Sequence, residues 1–185
     1  MKLLDAVNVI LPYMGEATVT STTARNSTVA IILANIEQAT TSRLATGLWF
    51  NTRAVTLYPD SAGAIASPSN IYNWYPDSDY HLVEVRGGKM WDGANSTFVF
   101  SGSITGTVID KIDFESLPEY AAQAITYAAA LSCYVTDFGA DNTYQHILGL
   151  ASQAEAMLQR EHLRKKQPNL VTGIYRGRYL STLRR

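Results

Sequence analysis

The chain has 185 residues, long enough for one domain or two small ones built around a hydrophobic core. Its single cysteine, Cys133, excludes an internal disulfide, and no apolar run reaches membrane-spanning length, so we expect a soluble protein made in a cytoplasm, without a membrane anchor. Charge is nearly balanced, at 15 Lys and Arg against 16 Asp and Glu, yet eight of the basic residues lie at or after Arg160. The low charged fraction of 17% and the 11 tyrosines favour extensive buried contacts and therefore oligomerisation.

The first 47 residues contain two helical patterns. Apolar residues at helical spacing predict a short amphipathic helix over residues 2–14, and Pro12 is expected to bend its last turn. A polar loop at 17–27 leads into a second helix over about 28–46, with Gly47 as its stop. We therefore expect the chain to begin with two helices.

Residues 48–114 are predicted to form an antiparallel β-rich insertion between helices. Gly87 and Gly88 separate two short apolar runs, which indicates a hairpin closed by a type I′ turn. Pro-Asp and Asp-Gly pairs mark further turns. The candidate strands are 49–58, 71–75, 82–86, 89–91, 98–100 and 105–114.

The next helix is predicted over 117–138. Ser116 is a natural N-cap, and Glu119 follows three residues later, as in a capping box. No charged residue occurs over 120–136. One apolar stripe comprises Leu117, Ala121, Ala124, Ala128, Leu131, Val135 and Phe138, and a second comprises Tyr120, Tyr127 and Tyr134.

A helix that is apolar on more than one face has to be covered on more than one face. Alanines let a partner approach closely, and tyrosines add large contact area. We therefore predict that this helix contributes to a subunit interface. The predicted interface residues are Tyr120, Ala124, Tyr127, Ala128, Leu131 and Tyr134.

A last helix is predicted over about 143–165, with Asp141 or Asn142 as its cap. Pro168 ends it, and residues 167–185 form an extended C-terminal arm without clear periodicity. Basic side chains in the last turns of the helix, and basic and aromatic ones in the arm, suit docking to another protein. The predicted docking residues are Arg160, Arg164, Lys165, Lys166, Tyr175, Arg176, Arg178 and Tyr179.

Several separated motifs occur in an order that resembles the tail tubular protein A family, the adaptor proteins of short-tailed bacteriophages. The motifs are Ala6-Val7-Asn8, Trp49-Phe50-Asn51, Leu57-Tyr58-Pro59-Asp60, Arg86-Gly87-Gly88 with Trp91-Asp92, and Asp113-Phe114-Glu115-Ser116-Leu117-Pro118-Glu119. Two features depart from the family pattern. The second helix carries few charges where many relatives have several arginines, and Leu48 intervenes between the glycine and the tryptophan.

The resemblance implies a structural virion protein of the α+β class: about four helices in a bundle, a β-rich insertion and the arm. It implies a dodecameric ring beneath the portal that joins it to the tail nozzle and lets DNA pass without base-specific contact. Residues 1–47 and 115–166 would form the helical adaptor domain, and 48–114 would face the nozzle and the tail fibres. The residues assigned to that face are Trp74, Arg86, Lys89 and Trp91. The arm would grip the portal or adjoining chains.

Other functions leave weaker traces in the sequence. A carboxylate pair from Asp60, Asp77 and Asp79 would suit a tail-associated glycan hydrolase, but Asp60 and Asp77 follow prolines where aspartate favours turns. The three histidines lie far apart, so no metal, cofactor or catalytic residue is assigned. The basic, aromatic arm would also suit a nucleic-acid module. A head-completion connector of a long-tailed phage would share the ring but not the nozzle.

Overall fold

The computed structural model describes residues 1–23, 26–77 and 82–166. Within these ranges the chain is α+β, as predicted, with helices at both ends of the sequence and two antiparallel sheets between them. The helices are α1 (Leu3–Ile10, continued by the 3₁₀ turn Leu11–Met14), α2 (Ser27–Leu44), α3 (Glu119–Phe138) and α4 (Asn142–Lys166). The strands are β1 (Thr52–Leu57), β2 (Ile71–Pro76), β3 (Val83–Arg86), β4 (Lys89–Asp92) and β5 (Ile104–Asp110).

Local chemistry explains the first two helices. Pro12 stands at the start of the 3₁₀ turn that follows α1, as expected for a residue without a backbone N–H. The side chain of Asn26 caps α2 by accepting hydrogen bonds from the backbone N–H groups of Thr28 and Val29. Glu16 in turn accepts hydrogen bonds from the Asn26 amide and the Thr28 hydroxyl. The polar loop after α1 therefore fixes the start of α2.

The larger sheet has the order β1-β5-β2, with β5 antiparallel to both neighbours. Strands β1 and β2 therefore run in the same direction, and their C-terminal ends lie at the same end of the sheet. β3 and β4 form the predicted hairpin, in which Gly87 and Gly88 have φ angles of 56° and 77°. Both angles are positive, as a type I′ turn requires. The hairpin prediction is confirmed.

Two hydrophobic cores form separately. The first joins buried side chains of α1, α2, α3 and α4, including Ile10, Ile32, Ile125 and Leu158. The second lies within the sheets and contains Ile65, Trp74, Val83, Met90, Phe100, Ile104 and Val108. The sheets thus carry their own core and extend beyond the helices from the end of α2 and the start of α3.

The predicted capping box at the start of α3 is wrong. Ser116 ends a short 3₁₀ turn, and α3 begins at Glu119, directly after Pro118. Because a residue that precedes proline is pushed into an extended conformation, Leu117 has ψ near 146° and separates Ser116 from the helix. Glu119 instead accepts hydrogen bonds from the Met1 amino group and the Gln123 side chain.

The predicted strand at 98–100 is also wrong. Val99 makes only an isolated bridge to Ala64, and the segment is irregular although Phe100 is buried. The strand predicted over 105–114 covers Ile104–Asp110 and is followed by the 3₁₀ turn Phe114–Ser116. Apolar residues in this region fill the second core from a loop, which periodicity does not distinguish from a strand.

Candidate assembly surfaces

Helix α3 packs through a face rotated from the predicted stripe. Ala121, Ala122, Ile125, Ala129 and Cys133 are almost fully buried against the other helices. The sequence offers apolar side chains on several faces, and the folded chain covers the one rich in alanine, where helices can approach closely. The opposite face is apolar and only partly covered.

This partly covered face, called here the α3 strip, comprises Tyr120, Tyr127, Ala128, Leu131, Val135 and Phe138. Phe138 is 53% exposed, Tyr120 44% and Val135 42%, while Tyr127 and Leu131 are half-buried. The six residues recur at helical spacing and run the length of α3, about 30 Å. An apolar strip that runs the whole length of a helix is the kind of surface that a protein partner covers.

Two residues predicted for the interface lie elsewhere. Ala124 and Tyr134 are buried in the chain's own core, at 5% and 6% exposure. The Tyr134 hydroxyl donates a hydrogen bond to Asp141 over 2.7 Å, and its ring stacks on Phe138 at a centroid distance of 5.0 Å. Asp141 also accepts from the backbone N–H of Tyr144, and thus caps α4. Ala124 and Tyr134 therefore support the strip from within the chain.

The end of α4 presents a basic surface. Arg160, Lys165 and Lys166 are exposed, and none has an ion-pair partner among the residues that the structure describes. Arg164 forms two hydrogen bonds with Glu161, of 2.8 and 2.7 Å. A groove of about 310 Å³ next to this surface is lined by Tyr120, Met157, Arg160, Glu161 and Arg164.

The groove brings Tyr120, predicted for the subunit interface, next to Arg160 and Arg164, predicted for docking. The remaining docking residues, Tyr175, Arg176, Arg178 and Tyr179, lie outside the described residues. The end of α4 also contacts the segment that leads into the sheet, where His162 Nδ1 accepts a hydrogen bond from the backbone N–H of Trp49 over 3.3 Å. The basic end of α4 therefore lies at the junction between helices and sheets.

The hairpin brings together three of the four residues that were predicted to face the nozzle. The Arg86 guanidinium lies over the Trp91 ring at 4.9 Å and pairs with Glu84, and Lys89 is exposed beside them. Trp91 contacts Phe98 edge to face, with ring centroids 4.6 Å apart. The tip is held to the loop between β1 and β2, because the Gly88 carbonyl accepts a hydrogen bond from the backbone N–H of Ser67.

Trp74, the fourth of these residues, does not face outward. Its side chain is 5% exposed and packs closely over Gly106, where a Cβ atom would lie 2.6 Å from the indole ring. Its Nε1 atom has no hydrogen-bond partner in the described part of the chain. Trp74 is therefore a core residue that supports the sheet, and this assignment is corrected.

The free end of the larger sheet exposes apolar side chains that the sequence reasoning missed. They are Tyr58 (73%), Tyr75 (49%), Leu82 (50%), Phe98 (39%) and Val99 (59%), and they do not form one surface, since Tyr75 points to the face opposite the buried Trp74. A groove of about 520 Å³ lies beside Leu82 and Val99. The sequence contains a signal for two of these residues, because Tyr-Pro-Asp-Ser occurs twice. Since β1 and β2 have their C-terminal ends at the same end of the sheet, Tyr58 and Tyr75 both lie there.

A cleft of about 680 Å³ opens where α1 and α2 meet the sheet, and is called here the junction cleft. Apolar side chains of both units line it, namely Leu3, Leu33, Ile36, Ile71, Tyr72, Ile112 and Phe114. Glu37 and Asp113 are exposed at its rim and have no ion-pair partner in the described ranges. Lys111 lies over the Tyr72 ring at 5.5 Å. The cleft is therefore an apolar groove with unpaired carboxylates at its edge.

The residues considered for chemistry do not form a site in the described ranges. Asp60 accepts hydrogen bonds from the backbone N–H groups of Ala62 and Ala64, each of 2.9 Å, which is turn chemistry. Asp77 is exposed, and Asp79 and His81 lie outside the described residues. Burial, and then the nearby Asp137 carboxylate, raises the pKa of the Cys133 thiol to about 11.

No group of three or more His, Cys, Asp or Glu side chains in the described residues is placed to hold a metal ion. Across 1–23, 26–77 and 82–166, no helix has the length and apolarity needed to cross a membrane.

Comparison with known proteins gives two matches. A family model described as "Tail tubular protein" matches residues 4–168. The chain is also 29% identical over 170 residues to tail tubular protein A of Klebsiella phage KP34, and the alignment covers 90% of each chain. Both matches extend over the helices and the sheets together.

Proposed function

Because this chain belongs to the tail tubular protein family, and is therefore a structural protein of the phage virion's tail, we propose that it forms an adaptor ring that connects the portal to the tail nozzle. The ring is dodecameric, and its channel forms part of the path of DNA ejection. The protein catalyses no reaction in this role. It assembles with other tail components.

The α3 strip is the observation that supports ring formation. A helix whose length is lined by exposed Tyr120, Val135 and Phe138 is poorly suited to a solvated monomer. A neighbouring copy that covers it would remove this apolar surface from water, which favours association. The half-buried Tyr127 and Leu131 then become core residues of the assembly.

The other surfaces suit the remaining partners. The basic end of α4, with the arm that follows it, docks on the portal, where Arg160 and its neighbours meet acidic groups. The hairpin residues Arg86, Lys89 and Trp91 and the free end of the sheet face the nozzle and the tail fibres. Aromatic and arginine side chains are enriched at such interfaces.

The experiment is a measurement of mass for the purified protein, alone and mixed with the portal, by light scattering and negative-stain imaging. A ring, or a monomer that becomes a ring on the portal, supports the adaptor role and shows when assembly is triggered. A protein that stays monomeric and does not bind the portal contradicts the adaptor role.

A single substitution tests the α3 strip. Ala128 is exposed, so Ala128→Asp leaves the core intact but places a carboxylate in the covered surface, where it would be desolvated without a partner. We expect the variant to keep its circular dichroism spectrum and its urea midpoint but to lose the ring. Ala30→Asp, the same change at an exposed alanine of α2, is the matched control and should assemble normally. Full assembly of the Ala128 variant would remove the strip from the interface.

A further inference from the structure

We propose that the ring is closed by a contact between unlike surfaces, in which the end of α4 of one copy enters the junction cleft of the next. This inference rests on the proposed ring and specifies its contact. It assigns the end of α4 to the neighbouring copy and leaves docking on the portal to the arm that follows α4. A cyclic assembly of more than two copies needs two different surfaces that are complementary to each other, because each copy meets one neighbour on each side. The chain offers one convex basic surface and one concave acidic one.

The convex surface is the last three turns of α4. Met157 and Leu163 are 43% and 57% exposed and lie about 120° apart around the helix, with Arg160 between them. Arg160, Lys165 and Lys166 are exposed and lack ion-pair partners in the described ranges. A helix end that exposes apolar side chains among unpaired basic ones suits a groove with an apolar floor and an acidic rim.

The concave surface is the junction cleft. Its lining is mostly apolar, from Leu33 and Ile36 of α2 to Ile112 and Phe114 beyond β5. Glu37 and Asp113 at the rim are unpaired within the described part of the chain. The unpaired charges beside Met157 and Leu163 are therefore basic, since Glu161 is paired with Arg164, and the unpaired carboxylates at the rim of the cleft have the opposite sign. Lys111 is held against the Tyr72 ring and opposes only part of this charge.

The two surfaces do not meet within one chain. Met157 and Arg160 line a groove with Tyr120, and this groove shares no residue with the junction cleft. The ends of α2 and α4 are also fixed relative to each other, since Arg43 pairs with Glu155 and His162 accepts from the Trp49 backbone. The α4 end of a second copy is therefore the occupant whose charge and shape suit the cleft.

Charge reversal tests the contact. Glu37→Arg makes the cleft basic, and Arg160→Glu makes the helix end acidic, so each change alone sets like charges against each other between every pair of neighbours. We expect each single variant to show at least about a tenfold loss of ring in light scattering. The double variant restores attraction with the signs exchanged and should assemble again.

A mixture of the two single variants gives the sharper result. In an alternating ring, each acidic helix end of one variant meets a basic cleft of the other, and each unchanged basic end meets an unchanged acidic cleft. Neither variant alone should form rings, whereas an equal mixture should form rings with alternating copies, resolved by native mass spectrometry of chains of different mass. A contact between like surfaces cannot give this pattern.

Controls separate the possible failures. Asp77→Arg reverses an exposed carboxylate just after β2, away from both surfaces and from the α3 strip, and should assemble as the unchanged protein does. Circular dichroism establishes that each variant is folded. If the unchanged protein forms rings but the mixture does not recover them, this contact is wrong while the ring remains. If rings and recovery both disappear in a chain that ends at Lys166, the arm and not α4 fills the cleft, which also overturns the inference.

Discussion

Protonation of His162 at low pH should weaken the contact between the helices and the sheets. Its imidazole accepts a hydrogen bond from the Trp49 backbone N–H and lies near the Trp49 ring, at a centroid distance of 6.1 Å. Burial, and then the nearby Lys166 ammonium, lower the pKa of His162 below its usual value of 6.5. The folded protein therefore keeps this imidazole neutral, and protonation would remove its acceptor nitrogen.

The direction of the pH dependence follows. Since the pKa is lower in the folded state, the unfolded chain binds the proton more readily, and stability falls as pH drops below about 6.5 until the folded state is protonated too. We expect His162→Gln to remove this part of the acid sensitivity, measured as urea midpoints from pH 8 to pH 5. His146→Gln, at an exposed position of the same helix, should retain it. Parallel pH profiles for His162→Gln and the unchanged protein would contradict the prediction.

At the scale of elements, one buried amide joins the helical unit to the sheet. Asn51 is 1% exposed and accepts a hydrogen bond from the Leu48 N–H over 2.7 Å. Its amide nitrogen donates to the carbonyl oxygens of Leu44, at the end of α2, and Asp110, at the end of β5. The bidentate pair of Arg53 with Asp110 lies on the surface beside it. Asn51 therefore sets where the first strand starts relative to both units.

Replacing Asn51 should weaken that joint. Asn51→Ala leaves buried backbone groups unsatisfied, and we expect the free energy of unfolding to fall by about 2–3 kcal/mol in urea titration. Asn51→Asp should cost at least as much, because a carboxylate cannot donate to the Leu44 carbonyl. Asn35→Ala, which removes one surface hydrogen bond to Ile31, is the control and should change stability little. Equal effects at Asn35 and Asn51 would show that the amide does not hold the units together.

The elements that were predictable are those specified by local chemistry. The hairpin follows from Gly87 and Gly88, and the bend after α1 follows from Pro12, because both depend on backbone preferences at adjacent residues. The buried face of α3 was not predictable. Ala121 and Ala128 are equally apolar in the sequence, and only packing against α2 and α4 decides that the first is buried and the second exposed.

The surfaces depended still more on tertiary structure. The junction cleft forms from α1, α2 and the ends of two strands. These segments lie far apart in the sequence, so no local sequence motif predicts the cleft. The free end of the sheet left a visible trace in the repeated Tyr-Pro-Asp-Ser, but the trace has meaning only when β1 and β2 are known to be parallel. Trp74 reads as a contact residue in the sequence and is a core residue in the fold.

At the scale of the whole molecule, the fold and the arm should be separable. In the part of the chain that the structure describes, both hydrophobic cores are built from residues up to Leu158, so a chain that ends at Lys166 keeps all of these buried side chains. The deleted residues hold four arginines and no acidic residue, so net charge changes from −1 to −5, that is −1 minus 4. We expect unchanged unfolding in urea and weaker attachment to the portal, measured by cosedimentation.

Charge and length of the arm are distinguished by a second variant. Changing Arg176, Arg178, Arg184 and Arg185 to Gln keeps the full length and removes the same four charges. If electrostatic attraction drives docking, this variant should bind the portal as weakly as the truncated chain, and the difference from the unchanged protein should shrink as salt is raised. Attachment of the truncated chain at full strength would show that the arm is not what grips the portal.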